Sequence, residues 1–226
     1  MRRRATTVIA LASALAIGAP GLAWGLVTIY DNDFKSRAEF RAIKKMSGSK
    51  ACKTFHDKNT RLGVSIAKGP AACKFATPVQ GDRSGPDHEV EAKAKVNKAT
   101  SSKVRSKVYV GVGVRTGKKT GYELRVFPHR QRWELHRNPS NNSDFPVKGK
   151  LDSINKIGKK NVLAIRAFGD DVTASVNGER VVHSLKDSNA AQVDGRRTTL
   201  VVSNGKKAKK AVKATFDDVQ VRIPDP

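Results

Sequence analysis

Aromatic residues are scarce in this 226-residue chain, at 6% of the total, and only two cysteines and two methionines occur. Two cysteines cannot by themselves build a Cys-rich zinc site. The five histidines, at 56, 88, 129, 136 and 183, are dispersed, and neither H-E-x-x-H nor C-x-x-C spacing is present. A zinc centre therefore lacks its ligand pattern. No G-x-S-x-G elbow presents a serine nucleophile and no Cys–His pairing can be inferred, so acyl transfer has no support. Gly111, Gly113 and Gly117 fall on a strand and its turn, without the G-x-x-x-x-G-K-S/T spacing of a phosphate loop. No metal and no cofactor are expected. The absence of a Gly-X-Y period, of heptads and of any 20–50-residue repeat excludes collagen, long coiled coils and solenoids.

Acidic residues are also few: 20 against 44 Lys and Arg, a formal net charge of +24. Apolar residues make up 38% of the chain, but they come in patterned runs, which a disordered chain would not show. Three arginines, Arg2 to Arg4, precede a charge-free stretch from Ala5 to Tyr30, with an apolar core over Val8–Ile17. That is the pattern of an export signal. Gly18, Pro20 and Gly21 interrupt it, and Gly21 and Ala23 offer small residues for a cut after Ala23. The alternative is an uncleaved anchor, since about 20 apolar residues span a bilayer and the arginines would stay inside. Either way residues 1–30 are the leader, and residues 31–226 lie outside the cell or on the outer side of its membrane. Contact with the membrane is expected only through the leader.

Residues 31–226 keep 41 basic against 20 acidic residues, a charge of +21. Such a field concentrates anionic polymers. Outside a cell these are acidic polysaccharide, wall polyphosphate, lipid headgroups or stray DNA. Much of the charge falls in expected loops, at Lys44-Lys45, Lys118-Lys119, Lys159-Lys160, Lys206-Lys207 and Lys209-Lys210, where it also serves solubility. No basic-plus-aromatic motif accompanies it, so specific nucleic-acid binding is not expected. An even cysteine count in an oxidising compartment reads as one disulfide, Cys52–Cys73, the alternative being two buried free thiols.

Ser36 and Glu39 have capping-box spacing and predict a short helix over Arg37–Met46. Period-2 alternation then takes over, in Leu62–Ile66, His88–Val96 and Val108–Val114. The segment Tyr122–Arg137 reads as a hairpin with Pro128-His129-Arg130-Gln131 at its turn. Pairing Phe127 with Arg132 sets Val126 against Trp133, Leu124 against Leu135 and Arg125 against Glu134. Apolar then meets apolar and opposite charges meet, whereas a slip of one residue spoils both faces. A second hairpin pairs Phe168 with Asp171. Asn177-Gly178 is a strong two-residue turn signal leading into Glu179–Leu185. Thr199–Ser203 and Ala211–Ile223 close the set. About ten strands and one short N-terminal helix predict an all-β antiparallel sandwich of jelly-roll type.

Several short motifs resemble a known superfamily. They are Asp31-Asn32-Asp33-Phe34, Gly121–Val126, Asn161–Leu163 with Val176-Asn177-Gly178, and Thr215–Val221. Together they resemble the strands of concanavalin A-like lectin/glucanase (laminin-G-like) domains, nearest to bacterial 3-keto-disaccharide hydrolase-like domains. The likeness spans about residues 31–224. It implies a jelly roll and leaves activity open, because lectins, adhesion modules, glucanases and lyases share the fold.

Candidate chemistry falls on few residues. Asp87, Glu89 and Glu91 share one strand face, and two carboxylates flanking a sugar are what glycosidases use. The resemblance implies Glu-x-Asp-x-Glu for jelly-roll glucanases, and the order here is Asp-x-Glu-x-Glu without an aromatic companion. The alternation with an apolar inner face favours a solvated outer face for Glu89 and Glu91. His88 and His183 look inward by parity, His129 sits in a turn and His136 on an outer face. Asp170, Asp171, Asp217 and Asp218 are calcium candidates only by the same resemblance; aspartates at such places more often form turns. The expected ligand surface is the polar face of the first hairpin, where Arg125, Arg132 and Arg137 with Glu134 offer guanidinium forks to carboxylate, sulfate or phosphate. The alternative there is a salt-bridged sheet face. The expectation is a non-catalytic exported module that binds glycans or anionic envelope polymer. A glycoside hydrolase or lyase of the same fold comes second, and a structural envelope protein third.

Overall fold

The computed structural model describes residues 25–48, 50–67, 71–79, 86–98, 100–102, 104–139, 145–205 and 211–225. The expected leader core, the cut after Ala23 and the Lys206–Lys210 cluster lie outside these residues. Among the described residues, one α-helix and fifteen strands occur. In chain order they are β1 (Leu26–Asn32), α1 (Arg37–Ala42), β2 (Lys44–Ser47), β3 (Cys52–Asp57), β4 (Arg61–Ile66), β5 (Ala72–Ala76), β6 (His88–Val96), β7 (Tyr109–Thr116) and β8 (Gly121–Phe127). Then follow β9 (Arg132–Asn138), β10 (Val147–Lys150), β11 (Asn161–Phe168), β12 (Asp171–Val176), β13 (Glu179–Lys186), β14 (Arg197–Ser203) and β15 (Val212–Pro224).

The strands form two antiparallel sheets. The eight-stranded sheet runs β13-β12-β11-β6-β15-β4-β3, with β1 also paired to β15; the seven-stranded sheet runs β10-β9-β8-β7-β14-β5-β2. Alternation explains how they stack. In β6 His88, Val90, Ala92, Ala94 and Val96 are fully buried while the residues between them are half-exposed. They face Val110, Val112, Leu124, Leu135 and Val202 of the other sheet within one continuous core. Burying one face of each sheet against the other is the antiparallel sandwich solution.

The first hairpin has the expected register: Phe127 pairs with Arg132, Val126 with Trp133, Arg125 with Glu134 and Leu124 with Leu135. Trp133 packs in the core. The second hairpin pairs Phe168 with Asp171 and Leu163 with Val176. Asn177 and Gly178 both take positive φ, at 53° and 83°, as a two-residue turn demands. The Ser36–Glu39 capping box forms, with both reciprocal hydrogen bonds at 3.1 Å.

Three expectations need correction. The helix ends at Ala42, not Met46: Ile43 turns extended, and Lys44–Ser47 hydrogen-bond to β5 as an edge strand. Strands β1, β2, β3, β5 and β10 were not visible as alternation. Strand β1 holds Leu26–Tyr30, whose uncharged run reads as leader, yet this segment pairs with β15, with a register shift between Thr28 and Tyr30. His183 is exposed, not inward. Register shifts between β12 and β13 break the parity there, so that Val182 pairs with Ala174 and takes the buried position.

Cys52 and Cys73 form the disulfide, with Cα atoms 5.9 Å apart. It joins β3 of one sheet to β5 of the other and fixes the edge that carries β2.

Candidate functional site

The outer face of the seven-stranded sheet carries a polar lattice set by strand parity. Register places Glu123 opposite His136 and Arg125 opposite Glu134. On the other side of β8, Gly113 lies opposite Glu123 and Gly111 opposite Arg125. Beyond them Val201 of β14 pairs with both Gly111 and Lys74. The glycines are required by close approach: a Cβ on Gly111 would sit 2.5 Å from the Leu124 carbonyl oxygen, and one on Gly113 would sit 2.6 Å from Thr199 Oγ1. The middle of this face therefore has a low floor.

Across that floor lies an ion pair. Lys74 Nζ is 2.5 Å from Glu123 Oε2, although β5 and β8 are separated by β14 and β7. Three strand spacings make about 14 Å, which two side chains bridge only by lying flat. Arg125 Nε donates to the other Glu123 oxygen at 2.5 Å. Its guanidinium also covers the Tyr109 ring, 5.0 Å from the centroid. Glu123 is thus only 3% exposed. Burial alone would raise its pKa, but Arg125 and Lys74 outweigh that and hold the carboxyl below its ordinary value. Next along β9, Glu134 is 2.8 Å from both Arg132 and the His136 ring. Burial lowers the His136 pKa despite the Glu134 hydrogen bond, so the imidazole stays neutral at a pH where a free one would begin to charge. Arg132 stacks over Phe127 at 4.5 Å.

Arg125, Arg132 and Glu134 therefore share the face on which the sequence places them. Arg137 does not. It follows Trp133 and Leu135 in parity, pairs with Tyr122, and its side chain is 0% exposed. There Arg137 Nε and the Tyr122 hydroxyl both donate to Asp187 Oδ2 at 2.5 Å, and the guanidinium reaches the Pro139 and Asn189 carbonyls. Asp187 would be raised by burial, but donors from Tyr122, Arg137 and the Asn189 amide keep its pKa low. Arg137 seals one end of the core and is not a ligand residue. Odd–even parity along β9 already separates it from Arg132 and Glu134. Lys74, Glu123 and His136 were missed as site residues because their convergence needs the order of five strands.

At the end of this face is a cavity of about 1130 Å³, bounded by β2, β5, the β7–β8 turn and the start of β14. The described residues lining it include Lys74, Lys118, Lys119, Arg196 and Arg197, and none is acidic. The turn is closed by a hydrogen bond from Gly117 N to Thr120 O at 3.0 Å, which projects Lys118 and Lys119 as its tip. Lys74 and Asn138 join the cavity to the polar lattice. The disulfide contributes indirectly: Cys73 points into the core, and Lys74 beside it points out.

The other sheet places the remaining candidates. Glu89 and Glu91 lie on its outer face, with Arg222 2.5 Å from Glu89 and 3.8 Å from Glu91. Across β11, Glu89 pairs in register with Arg166. A depression of about 100 Å³ adjoins Glu89. Asp87 instead holds Arg115 at 2.5 Å. The four aspartates weighed for calcium do not converge. Asp170 pairs with Lys186 and Asp171 with Ser184, while Asp217 and Asp218 at the β15 bulge pair with Lys160 and Lys93.

No protein-family model matches this chain, and no curated protein matches it. Solved structures do match in fold. A carbohydrate binding module, CBM66 from Bacillus subtilis, is 14% identical with a TM-score of 0.54, covering 79% of this chain and 93% of the module. A Bacillus subtilis protein of unknown function with a galectin-like fold is 12% identical, TM-score 0.59, covering 88% and 97%. A glycoside hydrolase family 16 endo-glucanase from Bacteroides ovatus is 10% identical, TM-score 0.60, covering 85% and 99%. The chain has the concanavalin A-like jelly-roll fold that these structures share.

Proposed function

We propose that this chain is an exported, basic, non-catalytic module that binds a glycan or an anionic polymer of the cell envelope on the outer face of its seven-stranded sheet. The observation that carries the reading is the Lys74–Glu123–Arg125 lattice laid over a glycine floor and opening into a cationic cavity. The partly exposed guanidinium and imidazole groups of Arg125, Arg132 and His136, held in fixed geometry by Glu123 and Glu134, offer hydrogen bonds to sugar hydroxyls without the cost of ordering them on binding. The fold of a carbohydrate binding module and of a glucanase supports a glycan partner. Export is supported by Arg2–Arg4 with the apolar run behind them and by the disulfide.

A glycoside hydrolase is the second reading, because Glu123 and Glu134 lie diagonally on neighbouring strands, about 7 Å apart by sheet geometry. Against it stands the protonation state. A general acid needs a raised pKa, and Glu123 is pushed the other way by two cations. Glu89, on the other sheet, lies 2.5 Å from Arg222.

The test is a glycan and polyanion array with the purified full chain at low and at high salt, alongside an assay for released reducing sugar. Binding that survives high salt in part, without sugar release, is the expected result. Turnover abolished by Glu123→Gln or by Glu89→Gln would make the protein an enzyme. Binding lost entirely with salt would reduce it to nonspecific charge.

A further inference from the structure

We propose that the glycan carries an anionic substituent (carboxylate, sulfate or phosphate) and that the cavity beside the β7–β8 turn is the subsite for that group, with the sugar rings running from it onto the lattice around Glu123. This rests on the glycan-binding reading and narrows it to a ligand class.

On the eight-stranded sheet several cations have an acidic partner: Lys93 with Asp218, Lys186 with Asp170 and Arg222 with Glu89, and Lys160 beside it with Asp217, while others such as Lys53 and Lys95 stand apart from one another. Around this cavity five cations gather, and no acidic residue is among the described residues that line it. Lys118, Lys119 and Arg197 have no acidic partner among the described residues, and Lys74 already belongs to Glu123. Gathering like charges about one concavity is repulsive and returns nothing to the fold. An anion placed there reverses the sign of that interaction.

The neighbouring surface is nearer to charge balance than the cavity. A second cavity of about 490 Å³ is lined by Asp87, Asp170, Asp187 and Asp194 together with Arg115, and there Asp87 is paired with Arg115, Asp170 with Lys186 and the buried Asp187 with Arg137. On the lattice, Glu123 and Glu134 offset Lys74, Arg125 and Arg132, so that surface draws a continuous run of negative charge less than the cavity does. A chain with charge at intervals and hydroxyls between fits both parts: the charged group enters the cavity, and neutral ring edges face Glu123, Arg125, Glu134 and His136. Lys74, which lines the cavity and touches Glu123, stands at the junction.

The experiment uses the purified full chain on matched pairs sharing one backbone: dextran sulfate with dextran, polygalacturonate with its methyl ester, and chondroitin sulfate with chondroitin. Poly-glutamate serves as the sugar-free polyanion. At least one charged member should bind about tenfold more tightly than its uncharged or less charged partner, and more tightly than poly-glutamate. The double variant Lys119→Ala with Arg197→Ala should remove that gain. The variant Lys53→Ala with Lys95→Ala, which makes the same change in net charge on the other sheet, should keep it. All four side chains lie at least partly open to solvent, so neither variant threatens the fold. If no charged member exceeds its partner, the inference fails, and binding to both members would leave the glycan reading standing. If nothing on the array binds, both fail. Poly-glutamate binding as tightly as the charged glycans, or equal losses in the two double variants, would also overturn the inference.

Discussion

Replacing Arg137 by Met separates a structural arginine from a ligand arginine. The guanidinium is wholly buried, donates to Asp187 at 2.5 Å, and holds the carbonyls of Pro139 and Asn189 at 2.5 and 2.8 Å. Methionine fills much of the volume but leaves Asp187 with only the Tyr122 hydroxyl and the Asn189 amide. Breaking one side of a buried pair costs about 3–5 kcal/mol. At about 2–4 °C per kcal/mol for a domain of this size, the melting temperature should fall by roughly 6–20 °C. Calorimetric melts at pH 7 measure it. The pH dependence follows from the depressed Asp187 pKa. Its contribution is complete above the unfolded value, about 4, and is lost as pH falls through the lower folded value. The variant should therefore show a weaker loss of stability on acidification than the parent. Glycan binding measured well below the melting temperature should be unchanged. A variant that melts within 2 °C of the parent yet loses binding would refute the placement of Arg137 in the core.

Three further outcomes follow from named contacts. Replacing Cys52 and Cys73 by Ser opens a link of sequence separation 21 and should cost about 3 kcal/mol, read by urea unfolding in the oxidised parent and the variant. Glu123→Gln releases Lys74 and Arg125 from their shared counter-ion, so affinity for a sulfated glycan should rise and its salt dependence steepen. An unchanged salt slope would contradict this. The depressed His136 pKa means that the unfolded chain takes up a proton before the folded one does. Stability should therefore fall as pH drops below about 6.5, and His136→Gln should flatten that part of the profile in denaturant titrations.

The sandwich was legible wherever a strand has one wet face. The alternation of His88–Val96 and the charge complementarity of Arg125 with Glu134 determine both burial and register, because a one-residue slip would expose Trp133 and bury Glu134. Short strands without an alternating run of their own were not legible. Strand β1 is hidden in an uncharged run, and β2, Lys44–Ser47, is a mostly exposed edge that exists only because β5 lies beside it. The candidate site was half legible. Arg125, Arg132 and Glu134 follow from hairpin parity, and Arg137 departs by that same parity. The Lys74–Glu123 contact joins residues 49 positions apart through two intervening strands, and no local pattern encodes it. The cavity needs still more, since β2, β5, the β7–β8 turn and β14 meet only once the sheet order is known.

The central claim is that the outer face of the seven-stranded sheet, with its cationic cavity, is where ligand binds. A crystal structure of the full chain with a sulfated or carboxylated oligosaccharide tests it most directly. The account expects the charged group within hydrogen-bond distance of Lys119 or Arg197, and sugar density over Arg125 and Glu134. Density on the opposite sheet, over Glu89, Glu91 and Arg166, would contradict it.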